Sequence, residues 1–187
     1  MPKPLNILLR VGLLLAVLVA IALFLLLVAL PSSERWAWSQ TLSTALSNAS
    51  SVTFVEFTTY RGSDTSETPP REVVLQRIAA TPEQIKGLRS ATSRFFVFSY
   101  YTVIPGCFHP HHRVEVIRRD GSRFQMELSF DCWDFRFDQK HEEAIPLSWL
   151  PLLRQFFSDL GMPPHTEAIY EQLAEQKAKF SPLPTPN

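Results

Sequence analysis

VEVIRRDGSRFQMELSF, residues Val114 to Phe130, is the stretch whose reading decides the fold. Val114 and Val116 alternate with polar residues, and Phe124, Met126, Leu128 and Phe130 do the same. A period of two marks a half-buried strand. Between the two runs stands Arg119-Asp120-Gly121. A three-residue loop with glycine in the left-handed position is a favoured hairpin connection. Its length sets Val116 opposite Phe124 and Val114 opposite Met126, with all four side chains on one face.

The same face needs partners, and the flanking sequence offers them. Val52, Phe54, Phe57 and Tyr60 lie in a β-branched and aromatic strand, residues 61 to 71 read as an exposed loop, and Glu72 to Ile78 reads as a second strand. Thr81-Pro82-Glu83-Gln84 opens a short helix that ends near Ala91: threonine caps free amides, proline fits the first turn, and Gln84 can close a capping box. Arg94 to Ile104 is a long aromatic strand, and Trp133 to Asp138 continues the hairpin's second strand or forms the next one. Ser148 is expected to cap a helix whose Trp149, Leu152, Leu153, Phe156, Phe157 and Leu160 fall on one stripe before Gly161 stops it. A mostly charged helix near Thr166 to Lys179 reads as peripheral, and 181–187 as a Pro-rich frayed tail. Strands followed by helices imply an α+β domain, an antiparallel sheet covered on one face by C-terminal helices.

The N-terminus has a different character. Val11 to Leu30 carries no charged or polar side chain. Twenty helical residues span about 30 Å, the thickness of a bilayer core. Pro31 is expected to end the run, and Trp36 and Trp38 to sit at the membrane interface. The run is long for a cleaved signal peptide, so an uncleaved anchor is the preferred reading. Lys3 and Arg10 precede it, and Arg35 beside Glu34 follows it. The positive-inside bias then places residues 1–10 in the cytoplasm of a bacterial inner-membrane protein that crosses once. Residues 31–50 read as a juxtamembrane helix or linker, with Trp38, Leu42, Ala45, Leu46 and Ala49 at helical spacing, and 51–163 as the extracytoplasmic domain. The implied partners are the membrane and another envelope protein. The 18 basic and 18 acidic residues cancel without forming a basic stripe, so nothing calls for nucleic acid.

Reactive side chains concentrate in Cys107-Phe108-His109-Pro110-His111-His112 and in Asp131-Cys132-Trp133-Asp134. Extending the hairpin register sets Cys132 opposite Phe108, one position from Cys107. Three chemistries compete. A Cys107–Cys132 disulfide suits an oxidising compartment and would contribute about 3–4 kcal/mol by chain entropy, although an unbroken ladder would point the two side chains to opposite faces. A zinc or copper site could draw on Cys107, His109, His112 and Cys132, with His111 as a further donor, although the spacing matches no standard signature. A catalytic Cys-His pair could use His109 or His112 with Asp131 or Asp134, although nothing in the sequence fixes that geometry. For the histidines singly, a solvated or structural place at a strand edge is the plainer reading.

From Val73 to Met162 the chain resembles a group of small bacterial proteins that share Cys-Phe-x-Pro-x-His, a short hairpin, Cys-Phe-x-Cys and a C-terminal helix ending in glycine. Cys107, Phe108, Pro110, His112, Gly121, Phe130, Cys132 and Gly161 carry the resemblance. No activity comes with it. Ser129 stands where that group often has a further cysteine, which weakens the metal and redox readings. No phosphate loop, nucleophile elbow or His-Glu-x-x-His occurs. The expectation is a non-enzymatic domain with a binding or structural role in the cell envelope and no cofactor. The alternative is a metal-binding or thiol-active domain.

Overall fold

The computed structural model describes residues 4–60, 71–93, 108–140, 143–146 and 148–180, with side chains at 12–24, 37–59, 71–93, 108–140, 145–146 and 148–177. Helix α1 runs over Pro4–Ser47, followed by strands β1 (Ala49–Tyr60) and β2 (Arg71–Ala79) and helix α2 (Pro82–Thr92). Strands β3 (His112–Arg118), β4 (Arg123–Ser129), β5 (Asp134–Phe137) and β6 (Glu143–Ala144) come next, then helices α3 (Leu150–Asp159) and α4 (Glu167–Phe180). The strands form one sheet in the order β2-β1-β3-β4-β5-β6, and every neighbouring pair is antiparallel.

The β3–β4 hairpin has the register read from its alternation: Val116 pairs with Phe124 and Val114 with Met126. Gly121 takes φ +83°, where a side chain would be strained. Asp120 Oδ1 accepts the Ser122 amide at 2.8 Å and closes the turn. The central strand β1 inserts Phe54 opposite Val114 and Val52 opposite Val116, so the apolar positions of three strands form one surface. Leu42, Ala45 and Leu46 of α1, Leu88 of α2 and Leu153 and Phe157 of α3 bury that surface. α2 has the expected capping box, with Gln84 N–H donating to Thr81 Oγ1 and Thr81 N–H donating to Gln84 Oε1.

The opposite face carries charge. Val55, Arg113, Glu127 and Arg136 occupy one row across β1, β3, β4 and β5. Arg113 donates to Glu127 at 3.0 Å and to Glu72 at 2.6 Å, and Arg136 donates to Glu127 at 2.6 Å. Burial alone would lower the Arg113 pKa, but the Glu72 and Glu127 carboxylates outweigh it and hold the group above its ordinary value.

Several expectations change. α1 is unbroken through Pro31, because a proline costs a helix one hydrogen bond without necessarily ending it. Among the described residues no helix is long and apolar enough to cross a membrane. The transmembrane span at 11–30 and the single-pass inner-membrane placement are therefore not retained. The side chain of Trp36 lies outside the described set. Trp38 packs edge-on against Phe135 at 5.2 Å, so it belongs to the rim of the core instead of a lipid interface. The segment read as a juxtamembrane helix or linker is helical to Ser47 as the last part of α1, and it buries Leu42, Ala45 and Leu46.

Ser148 does not cap α3. The N-cap is Trp149, and the carbonyl of Pro146 already accepts the Trp149 and Leu150 amides at 2.8 and 3.2 Å. Gly161 does stop that helix, with φ +76°. The strand expected at 94–104 and the loop at 61–70 lie outside the described residues.

The charged face yields a graded prediction. Glu127 is 3% exposed and Arg77 is 50% exposed at their side chains. Glu127→Ala removes the acceptor that Arg113 and Arg136 share, leaves Arg113 its bond to Glu72, and should cost about 1.5–3 kcal/mol, whereas Arg77→Ala should cost at most about 1 kcal/mol. Urea denaturation of both variants at neutral pH measures the difference.

Candidate functional site

The end of β1, residues 108–111 and the outer face of α4 enclose an open cleft of about 620 Å³. Thr59, Phe108, His109, Pro110, His111, Glu167, Glu171, Ala174 and Glu175 line it. Glu167, Glu171 and Glu175 are four residues apart, so they share one face of α4. Like charges at that spacing cost an isolated helix a few tenths of a kcal/mol per pair. The stripe is thus not a device for helix stability. Glu167 alone gains from the helix dipole, since it sits in the first turn.

α4 is seated by a few strong anchors. Tyr170 is 1% exposed and Ala174 is fully buried. The Tyr170 ring stacks on His111 with centroids 3.7 Å apart and planes 13° from parallel. His111 Nδ1 faces the Phe57 carbonyl at 3.1 Å and its Nε2 faces Glu167 at 2.7 Å. Both partners are acceptors, so the imidazole is fully hydrogen-bonded when both nitrogens carry hydrogen. At the far end, Lys177 donates to the Leu75 carbonyl at 2.6 Å. That contact covers the irregular stretch of β2, where the register to β1 shifts, and so protects an edge strand. The helix that reads as peripheral therefore closes one side of the domain.

Below the cleft lies Glu56, 6% exposed, on the core side of β1. Burial pushes its carboxyl up to about 7, against the opposing effects of the Tyr170 hydroxyl hydrogen-bonded to it and of Lys177. Burial likewise raises the Tyr170 phenol. His112 is 1% exposed and packs against Phe130 and Phe157. Burial pushes it down to about 3, although the Met162 carbonyl, which its Nε2–H meets at 2.9 Å, favours the protonated form.

The residues singled out in the sequence are dispersed. His109 is half-exposed in the cleft, with Nδ1 3.7 Å from Glu167. His112 turns into the core and donates to a backbone carbonyl, so it is not at hand as a metal ligand. Cys132 is buried in the turn between β4 and β5 and is not a free thiol. It does not stand opposite Phe108, because the β3–β4 ladder ends at His112–Leu128 and the chain then turns. Cys132 is disulfide-bonded, and Cys107, the other cysteine of the sequence, lies outside the described residues, as does the geometry of the expected staple. Among the described residues no group of three or more His, Cys, Asp or Glu side chains is arranged to hold a metal ion. The closest approach, His111 to Glu167 at 2.7 Å, is a hydrogen bond. Two donors on one zinc at bond lengths of about 2.0–2.1 Å stand farther apart than that. Asp131 and Asp134, weighed as partners of a catalytic histidine, are joined to neither His109 nor His112 by any described hydrogen bond.

Glu56, Glu167 and Tyr170 were not foreseen. Glu56 interrupts an apolar strand, which was the available signal, while Glu167 and Tyr170 belong to a helix whose sequence is too polar to advertise its anchor. No family model, curated protein or solved structure matches the chain.

If Tyr170 is the anchor, Tyr170→Ala should cost about 3 kcal/mol or more, in the range for a large buried ring. Glu171→Gln, on the open side of the same helix, should change stability by less than about 0.5 kcal/mol. Equilibrium unfolding in urea checks both.

Proposed function

We propose that the protein is a binding domain and that the cleft beside α4 receives a positively charged side chain of a partner protein. One observation carries the reading: Glu167, Glu171 and Glu175 face a single open cleft whose described lining contains no lysine or arginine. Phe108 and Pro110 supply an apolar wall on which the aliphatic stem of a lysine or arginine can lie while its head meets the carboxylates. The Phe108 ring already holds one guanidinium, that of Arg136, 4.6 Å from its centroid, and an aromatic face is a favourable neighbour for cations. His111 is engaged with Glu167 and Phe57, and Glu56 is sealed beneath Tyr170, so neither offers a general base to a substrate in the cleft.

The test is a titration of the full chain with a hexalysine peptide and, in parallel, a hexaglutamate peptide. The lysine peptide should bind and the glutamate peptide should not, with affinity falling as salt rises. Glu171→Gln combined with Glu175→Gln should weaken binding about tenfold, as expected for two exposed charge pairs. Equal affinity for both peptides, or no change in the double variant, would refute the reading.

A further inference from the structure

Under the cleft, two ionisable side chains that the binding reading does not use are paired across strands. Glu56 of β1 and His112 of β3 are directly opposite in the register. The Phe57 amide donates to the His111 carbonyl at 2.9 Å, which makes the next pair along a hydrogen-bonded one. Pairs alternate in an antiparallel ladder, so Glu56 and His112 form a non-hydrogen-bonded pair, the kind whose side chains stand closest. Both are buried, at 6% and 1% exposure. His112 donates through Nε2 to Met162, which leaves Nδ1 as a bare acceptor. Neither His112 Nδ1 nor Glu56 Oε1 has a hydrogen-bond partner among the described residues. A buried charge at either position would be costly without a partner.

We propose that Glu56 and His112 are a proton-exchange pair that folding discharges, so that the seat of α4 on the sheet is linked to pH. In the unfolded chain at mildly acid pH the imidazole carries the proton and the carboxyl is ionised. In the folded domain the proton is on the carboxyl and the imidazole is neutral. One proton leaves the histidine nitrogen and one joins the carboxylate oxygen, so the net charge of the pair is zero before and after. The inference does not depend on what the cleft binds.

The two shifts define the windows. Glu56 moves from 4.5 to about 7 and His112 from 6.5 to about 3 on folding. Between about 4.5 and 6.5 each state of the pair holds one proton, so the pair adds no slope to the stability. Below about 4.5 the unfolded pair holds one proton more, and stability falls toward pH 3. From about 6.5 to 7 the folded pair holds one more, and stability falls as pH rises. Above that window a carboxylate sits beneath Tyr170. The other titratable groups around the pair are Tyr170 and Lys177 of α4, His165 ahead of it, His111 just before β3 and Asp131 after β4. Glu167 bears on it only through His111.

The direct test is NMR of the folded full chain, with labelled glutamate side-chain carboxyls and histidine rings. The Glu56 carboxyl should titrate near neutrality, and the His112 ring should stay neutral, as the Nε2–H tautomer, at pH 5. Ordinary titration of both groups, with His112 charged at pH 5, would overturn the proposal. Urea unfolding of Glu56→Gln gives a second reading. Its folding equilibrium constant should gain on that of the natural chain by about two orders of magnitude between about pH 4.5 and 7, and parallel profiles would equally overturn it.

Discussion

The alternation along β1, β3 and β4 is the constraint on which the rest of the structure depends. With Phe54, Val114 and Met126 in one row, the apolar face is fixed, and each residue next to them is committed to the other face. A slip of one position would carry every side chain across the sheet. The same parity that buries Phe54 directs Glu56 and His112 inward and sends Arg113 and Glu127 to the charged face. The register thus decides both where the core lies and which ionisable groups must be accommodated inside it.

The two faces resolve buried polarity differently. On the charged face Glu127 receives two guanidinium groups, and Arg113 is shared between Glu127 and Glu72, so its ions are paired. On the core face Glu56 and His112 have no ionic partner in the strands, and burial drives both toward their neutral forms. α4 covers this second region with a polar helix, and does so through few contacts: a tyrosine stacked on a histidine, one carboxylate–imidazole bond and one lysine on a strand edge. The carboxylates on its outer side are left to face the cleft.

How much of this was legible follows from what each signal measures. The hairpin, its glycine and its register could be read because loop length and period two act locally. The capping box at Thr81 was equally local. The N-terminal run misled because hydropathy reports that side chains avoid water without saying what they meet, and the part of α1 beyond it turned out to complete the core through Leu42 and Leu46. The histidines misled for a related reason. Adjacent in sequence, His111 and His112 leave the backbone in opposite directions, one to Glu167 and the other to Met162. A cluster along the chain is therefore not a cluster in space. Tyr170 could not be identified as an anchor because nothing in a charged helix distinguishes a buried tyrosine from an exposed one.

The central claim is that α4 is seated on the sheet by Tyr170 and thereby creates the cleft. Nuclear Overhauser contacts between the Tyr170 and His111 rings test it most directly, because the rings stack with centroids 3.7 Å apart. The account predicts strong ring-to-ring contacts together with slow exchange of the α4 amides. Absent contacts, with α4 amides exchanging as in a free helix, would contradict it.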